Sequence, residues 1–479
     1  MTTYDCCATG TPKAGGGYDL AVIGAGSAGF SAAIAAAELG ANVVLIGDGT
    51  IGGTCINVGC VPSKTIIRAT ETLHQAQAAS RFAGIRAEGR ITDWRAVVRQ
   101  KNELVSSLRQ AKYLDLLPHY NTVAYREGRA RLMRDSVTVD GEPIRAGKVI
   151  IATGAAPAVP AIPGIETIPY LTSTTALELE RLPKSLLVIG GGYIGCELGQ
   201  MFARAGVKVT IAARRRLLPE AEPEISYALT QYLGQEGISV RDGLSYQEIR
   251  QTPEGVALSV VVDDRAETIA AERVLITTGR RPNSAGFGLS EAGIALLPNG
   301  GIKVDDRMRT SKLGVYAAGD VTGRHQHVYM AAHGARIAAA NALNGDSKRY
   351  DATAMPAVVF TDPQVASVGL TETNALDQGF RVKSSTLDLG SVPRALAARD
   401  TRGLIKLVAE ASTGRFLGAH ILAPEGADSI QTAALAIKCG LTVAQLAETI
   451  FPYLTTVEGL KLAAQAFAKD VAKLSCCAG

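Results

Sequence analysis

Tyr18-Asp19-Leu20-Ala21-Val22-Ile23-Gly24-Ala25-Gly26-Ser27-Ala28-Gly29 is the stretch on which the fold turns. Its first half reads as a buried parallel strand, a Gly-rich turn follows at once, and an Ala-rich helix then runs to Gly40. A second apolar strand, Asn42 to Ile46, completes a βαβ unit. In that setting Gly24 makes the tight turn, Gly26 leaves room for a pyrophosphate, and Gly29 lets helix and strand approach. The helix N-terminus turns its unbonded N–H groups and positive end toward the phosphates. The stretch therefore predicts a dinucleotide site.

The same unit recurs. Ser185 to Ile189 leads into Gly190-Gly191-Gly192-Tyr193-Ile194-Gly195, a helix, and the strand Lys208 to Ala212, with the two glycine motifs 166 residues apart (190 minus 24). The end of the second strand selects the nucleotide, because an acid there holds a ribose 2′-hydroxyl. The second unit lacks that acid and continues into Arg214-Arg215-Arg216, which favours a 2′-phosphate and hence NADPH. The competing reading is a solvated basic loop. In the first unit Gly47 stands where the acid is expected and Asp48 follows, so the ribose contact shifts by one residue or is lost.

The chain of 479 residues has room for about three domains. Apolar residues make up 47% and charged residues 20%, a globular composition. A formal charge of +4, aromatics at 5% and no basic block beyond Arg214–Arg216 argue against a nucleic-acid partner. Leu20 to Ala37 is uncharged and long enough to suggest a membrane span, but Gly24, Gly26 and Gly29 within it indicate strand, turn and helix instead. No basic-then-apolar leader opens the sequence, and eight scattered Cys fit a reducing, cytoplasmic compartment with catalytic or metal-binding thiols.

Two thiol pairs stand out. Gly52-Gly53-Thr54-Cys55-Ile56-Asn57-Val58-Gly59-Cys60-Val61-Pro62-Ser63-Lys64 places two Cys five residues apart. In a regular helix that spacing separates the Cα atoms by roughly 8–9 Å, whereas a disulfide needs less than about 7 Å. A bridge therefore requires a distorted turn, for which Gly59 gives latitude and Pro62 disrupts the helical ladder. Two buried unbridged Cys are the plainer alternative. At the other end, Cys476-Cys477-Ala478-Gly479 offers adjacent thiolates to a soft metal ion, adjacency being a poor geometry for a relaxed disulfide. Cys6-Cys7 lies in a short N-terminal tail, and Cys196 and Cys439 read as packed or helical thiols.

On these motifs the sequence resembles the pyridine nucleotide–disulfide oxidoreductase family over nearly the whole chain from Tyr18. The carriers are the thiol segment, both glycine motifs, Ile151-Ala152-Thr153-Gly154, Thr277-Thr278-Gly279-Arg280-Arg281-Pro282-Asn283 and Val315-Tyr316-Ala317-Ala318-Gly319-Asp320. The resemblance implies an α/β fold with two Rossmann-like dinucleotide-binding domains, for FAD and NADPH, plus a C-terminal α+β dimerisation domain. The implied boundaries are a tail at 1–17, an FAD domain at 18–157 and 281–350, an NADPH domain at 158–280, and a dimerisation domain at 351–479. It further implies that Asp320 contacts the FAD ribityl chain, that Lys64 lies near the flavin N5 and pairs with Glu197, and that Tyr193 covers the nicotinamide pocket. The implied cofactor-binding set is Gly24, Gly26, Gly29, Asp48, Gly49, Gly53, Thr54, Lys64, Ala130, Thr153, Gly154, Gly190, Gly192, Gly195, Glu197, Arg214, Arg215, Gly279, Arg280, Gly319, Asp320 and Val328.

Departures from the family pattern bear on the substrate. Counting back from Glu458 puts Tyr453 where disulfide-reducing members carry a His base. A phenol with a pKa near 10 is a poor base at neutral pH. With the segment Phe451 to Gln465 and the Cys476-Cys477 terminus, the chain looks like the branch whose substrate is Hg(II). That branch often carries an extra N-terminal domain bearing a GMTCxxC motif, which is absent here. The resemblance implies a redox pair with Cys60 facing the flavin and Cys55 outside it. It also implies a homodimer with active sites shared between subunits. Hg(II), arriving as a thiol complex, is taken by the partner's Cys476 and Cys477, passed to Cys55 and Cys60, and reduced to Hg(0), with Tyr193, Tyr453 and Glu458 as catalytic neighbours.

Overall fold

The computed structural model describes residues 17–134 and 136–470. The chain divides into two compact units, one built from residues 17–65, 96–158 and 279–351, the other from 66–95, 159–278 and 352–470.

The first unit is organised by a five-stranded parallel sheet. Its order is Val315–Ala317, Ala146–Ile151, β1 (Tyr18–Ile23), β2 (Val43–Gly47), β3 (Val123–Glu127). β1 takes the centre, with Val22 opposite Leu45 on one side and Ile150 on the other. Both faces of β1 and β2 are covered, which is why they read as unbroken apolar runs and not as alternation. Helix α1 (Ser27–Glu38) crosses between β1 and β2 and buries Ala28, Ala32, Ala33 and Ala36, side chains small enough for close packing on the sheet. A three-stranded antiparallel meander (Ala130–Leu132, Val137–Val139, Glu142–Ile144) and a two-stranded ribbon (Ala155–Pro157 with Arg280–Pro282) complete the unit.

The second unit holds another parallel sheet, ordered Ser239–Arg241, Lys208–Ala212, Ser185–Ile189, Arg273–Ile276, Leu171–Thr172. Beside it a meander of Ser245–Thr252, Gly255–Val262 and Arg265–Ala271 shares an apolar core with Leu187, Ile189 and Ile276. Its C-terminal part is a five-stranded antiparallel sheet ordered Ala357–Val359, Gln364–Gly369, Phe416–Ala423, Leu404–Glu410, Val382–Asp388. Helices Gly426–Lys438 and Glu458–Gln465 share its core. A charged group is buried on the opposite face of this sheet: Lys406, between the core residues Ile405 and Leu407, is 3% exposed and bonds Glu222 (2.9 Å), Glu224 (3.0 Å) and Glu372 (2.8 Å). Among the described residues no helix is long and apolar enough to cross a membrane.

Candidate functional site

In the first unit the glycine turn is as tight as the motif requires. Gly24 has φ +115°, and a Cβ on Gly29 would lie 1.7 Å from the Gly24 carbonyl oxygen. Gly26 is the N-cap of α1 and no side chain caps it. The chain doubles back onto this turn, with Gly52 N–H donating to Ala25 O (2.8 Å) and a Cβ on Gly53 2.7 Å from Gly26 Cα. Gly319 reaches the same place, its Cβ position 3.0 Å from Ala28 Cβ.

Asp320 follows Gly319, and burial pushes its carboxyl above the usual range while Arg280, 3.7 Å away, opposes the shift. Arg280 also donates to Ala155 O and reaches Thr54 Oγ1 at 3.4 Å, tying three of the expected site segments together. Thr153 and Gly154 leave the strand Ala146–Ile151 and are clasped by Asn283, which donates to both carbonyls (2.9 Å each). The Gly279 carbonyl accepts from Ala158 (2.9 Å). Ala130 is buried in the meander, and Val328 is the first residue of the helix Val328–Asn344. Asp48 and Gly49 are exposed just past β2.

The thiols meet across a break between two helices, α2 (Gly53–Asn57) and α3 (Cys60–Gln77). Val58 N–H closes α2 onto Thr54 O (3.0 Å), and Ser63 N–H opens α3 onto Gly59 O (3.1 Å). A Cβ on Gly59 would stand 2.8 Å from Thr54 O and 3.2 Å from Cys55 Cα, so the close return depends on glycine. Pro62 does not disrupt the ladder as expected: it is the third residue of α3, where no i−4 partner exists for its missing N–H.

Cys55 and Cys60 stand as unbridged thiols, the first half-buried and the second exposed. The hydrogen bond to Cys60, then burial, push the Cys55 pKa far above the ordinary thiol range, with Lys64 pulling the other way. Cys60 begins α3, where the helix dipole favours a thiolate. Asn57 braces the pair, donating to Ile51 O and Gly53 O (2.9 Å each) and accepting from Arg109 (3.1 Å).

The second unit repeats the turn. Gly190 has φ +119°, Gly192 caps the helix Tyr193–Arg204, and a Cβ on Gly195 would lie 2.0 Å from Gly190 O. Tyr193 opens that helix at 43% exposure, its hydroxyl pKa pushed up by partial burial and by Glu220. Glu197 is buried a turn later and accepts the Phe360 N–H (2.9 Å). Cys196 is buried, its thiol pushed up to about 12 by desolvation, whereas Cys439 is exposed at the end of the helix Gly426–Lys438.

The three arginines differ. Arg216 turns inward and holds the loop through Pro219 O (2.9 Å) and Ala221 O (2.8 Å). Arg215 is exposed and pairs with Glu220 (3.3 Å). Arg214 lies over the Tyr246 ring, 5.2 Å from its centroid. Farther on, Tyr453 is exposed at the turn before helix Glu458–Gln465. Glu458 is buried and accepts the Leu454 N–H at 3.3 Å, holding the turn next to Tyr453.

Cys6, Cys7, Cys476 and Cys477 lie outside the described residues. Sequence reasoning quoted Asn57 only within the thiol segment, without the bracing role seen here, and missed Arg109 and Tyr246. Only Asn57 carried a local signal, lying between the two Cys.

A dinucleotide turn in each unit and a dithiol beside the first define a two-nucleotide redox enzyme. Residues 18–337 match the model of the pyridine nucleotide-disulphide oxidoreductase family, residues 355–464 match that of its dimerisation domain, and the chain belongs to this family. It is similar to the mercuric reductase of Streptomyces lividans, 47% identical over 471 residues that cover 97% of this chain and 99% of the relative. It is also similar to the mercuric reductase of Staphylococcus aureus, 45% identical over 466 residues, 97% of this chain and 85% of the relative. Among solved structures, the HOCl-induced flavoprotein disulfide reductase RclA from Escherichia coli aligns with a TM-score of 0.82 at 32% identity, over 94% of this chain and 99% of that one.

Proposed function

We propose that this enzyme reduces Hg(II) to Hg(0) with NADPH, through FAD and the Cys55–Cys60 pair, as a mercury-detoxifying, resistance-conferring enzyme. The observation that carries the reading is the hydrogen-bonded dithiol, half-buried at Cys55 and exposed at Cys60, set at a helix N-terminus in a family whose similar members are named mercuric reductase.

FAD fits the first unit, because the α1 terminus is uncapped and Gly24, Gly29 and Gly53 let the turn and the returning chain close around it where a Cβ would collide with backbone. NADPH fits the second, where the Gly190–Gly195 turn repeats that geometry and Arg214 and Arg215 stand where an acid would repel a 2′-phosphate. When bound, the two cofactors supply a pair of electrons as a hydride equivalent.

The chain's own residues then do the following. Lys64 and the α3 dipole favour the thiolate form, and Cys55 releases its proton as the metal binds, giving a dithiolate complex of Hg(II). Two electrons convert that Hg(II) to Hg(0), which has little affinity for thiolate and leaves, so that NADPH and Hg(II) yield NADP⁺, H⁺ and Hg(0). Because thiolates hold Hg(II) strongly, the metal moves between pairs by ligand exchange, entering from Cys476 and Cys477 of the partner subunit in a homodimer with shared sites. Glu458 fixes the turn at Tyr453, whose phenol suits metal passage better than thiol–disulfide exchange. Dependence on NADPH and reduced thiols supports a cytoplasmic location.

The test is NADPH oxidation and mercury vapour release with Hg(II) under excess thiol. Turnover of glutathione disulfide or lipoamide, with none of Hg(II), refutes the reading.

A further inference from the structure

Gly47 ends β2 at the position where dinucleotide units place an acid that accepts from a ribose hydroxyl. The sequence leaves open whether that contact moves to Asp48 or disappears. The structure shows what stands there instead. A Cβ at Gly47 would lie 2.7 Å from the Tyr125 hydroxyl oxygen and 2.8 Å from Ala25 Cβ. Both distances are shorter than real Cβ contacts allow, so the space for an acidic side chain is already taken.

Tyr125 comes from β3, which runs parallel to β2 with Tyr125 opposite Leu45. Its ring packs against the core of the unit while the residue stays half-buried. Ala25 sits between the first two glycines of the turn. The Tyr125 hydroxyl therefore lies between the end of β2 and the turn that receives the pyrophosphate, the place an acid on β2 would serve. Asp48, by contrast, is exposed beyond the strand end.

We propose that Tyr125 supplies the adenosine-ribose contact of FAD, the task of the missing acid having passed from β2 to its neighbour β3. The inference rests on reading the β1–α1–β2 unit as the FAD site. A phenol both donates and accepts, so it replaces a charge-assisted bond by a neutral one at the 2′-hydroxyl.

The test uses the full-length holoenzyme, equilibrated with equimolar FAD and its 2′-deoxyadenosine analogue. Bound flavins are released and resolved by chromatography. One neutral hydrogen bond predicts that the parent enzyme retains FAD over the analogue by about three- to tenfold. Tyr125→Phe should bring that preference below about twofold, and Asp48→Asn should leave it unchanged. Tyr125→Ala should lack it as well. The inference is overturned if the parent enzyme does not discriminate, if Tyr125→Phe or Tyr125→Ala keeps the preference, or if Asp48→Asn abolishes it. A chain that retains neither flavin overturns the FAD reading itself, a distinct result.

Discussion

Arg214→Ala should cost this enzyme most of its choice of NADPH over NADH. Arg214 stacks 5.2 Å above Tyr246, which holds a guanidinium beside the end of the strand Lys208–Ala212 where a 2′-phosphate is expected. A hydrogen bond to a charged group is worth about 1.5–3 kcal/mol, which converts to a loss of roughly 10- to 150-fold in preference. Arg215 should matter far less. Its side chain is 70% exposed and already pairs with Glu220, itself 79% exposed. Surface charge pairs are worth about 0–1 kcal/mol, so Arg215→Ala should cost less than about fivefold. Tyr246→Leu removes the stacking face, worth about 0.5–1 kcal/mol at an exposed site, for a loss of roughly two- to fivefold. Tyr246→Phe keeps that face and gives up only the bond to Ala212 O (2.8 Å). Burial pushes the Tyr246 hydroxyl up to about 12, so no phenolate forms near the phosphate in a neutral assay. The measurement is anaerobic stopped-flow reduction of the flavin, comparing kcat/KM for NADPH and NADH. An Arg214→Ala enzyme within twofold of the parent ratio, or a larger loss in Arg215→Ala, refutes the assignment.

Cys55→Ala should leave a thiolate at Cys60 and a broad long-wavelength absorption with oxidised flavin, and Cys60→Ala should lack that band; the reverse pattern exchanges the inner and outer roles. Gly59→Ala places a methyl 2.8 Å from Thr54 O and 3.2 Å from Cys55 Cα. A misplacement of about 1 Å costs roughly 100-fold in a positioned reaction, an upper bound for the shift that these contacts force. Hg(II) turnover should fall while flavin reduction by NADPH is spared, and equal losses in both count against the reasoning. Mixing a Cys476→Ala/Cys477→Ala chain with a Cys55→Ala chain should restore Hg(II) turnover under thiol competition in verified heterodimers; no recovery means that the tail does not work across subunits. Lys406→Met strands the buried Glu222 and should cost about 3–5 kcal/mol in denaturant titrations. In the parent, Lys406 holds the Glu372 carboxyl below its usual range. That contribution is present above the ordinary pKa of about 4.3 and lost as pH falls through the lowered value. The variant should lack this part of the acid dependence.

Both dinucleotide units were legible because their signals are local: apolar runs, adjacent glycines, then Ala-rich or amphipathic helix. Ser185–Ile189 and Lys208–Ala212 have the bounds read from sequence. β2 instead includes Gly47, which the parallel neighbour enlists by pairing it with Glu127 despite its low strand preference. α1 stops at Glu38, with Leu39 as C-cap and Gly40 at φ +81° beyond it. What the sequence withheld depends on strand neighbours distant along the chain. Nothing near Gly47 announces Tyr125, which the pairing of β3 with β2 brings into place, and nothing near Arg214 announces Tyr246, which comes from the separate antiparallel meander and bonds Ala212 O through its hydroxyl. Pro62 was misjudged for a related reason: its effect depends on where a helix begins, the least certain part of a periodicity reading.

The edge strand Val315–Ala317 that completes the first sheet is encoded 164 residues after its partner ends (315 minus 151). At a synthesis rate of about 5–20 residues per second, the nascent chain carries Ala146–Ile151 with an unpaired edge for roughly 8–33 s. Every strand of the second unit's parallel sheet, from Leu171 to Ile276, is made within that interval. The inserted sheet has its full set of strands while its host still lacks one. Translation speed between Ala158 and Val315 thus becomes a folding variable, and pausing there lengthens the time for which an apolar edge is open to another chain.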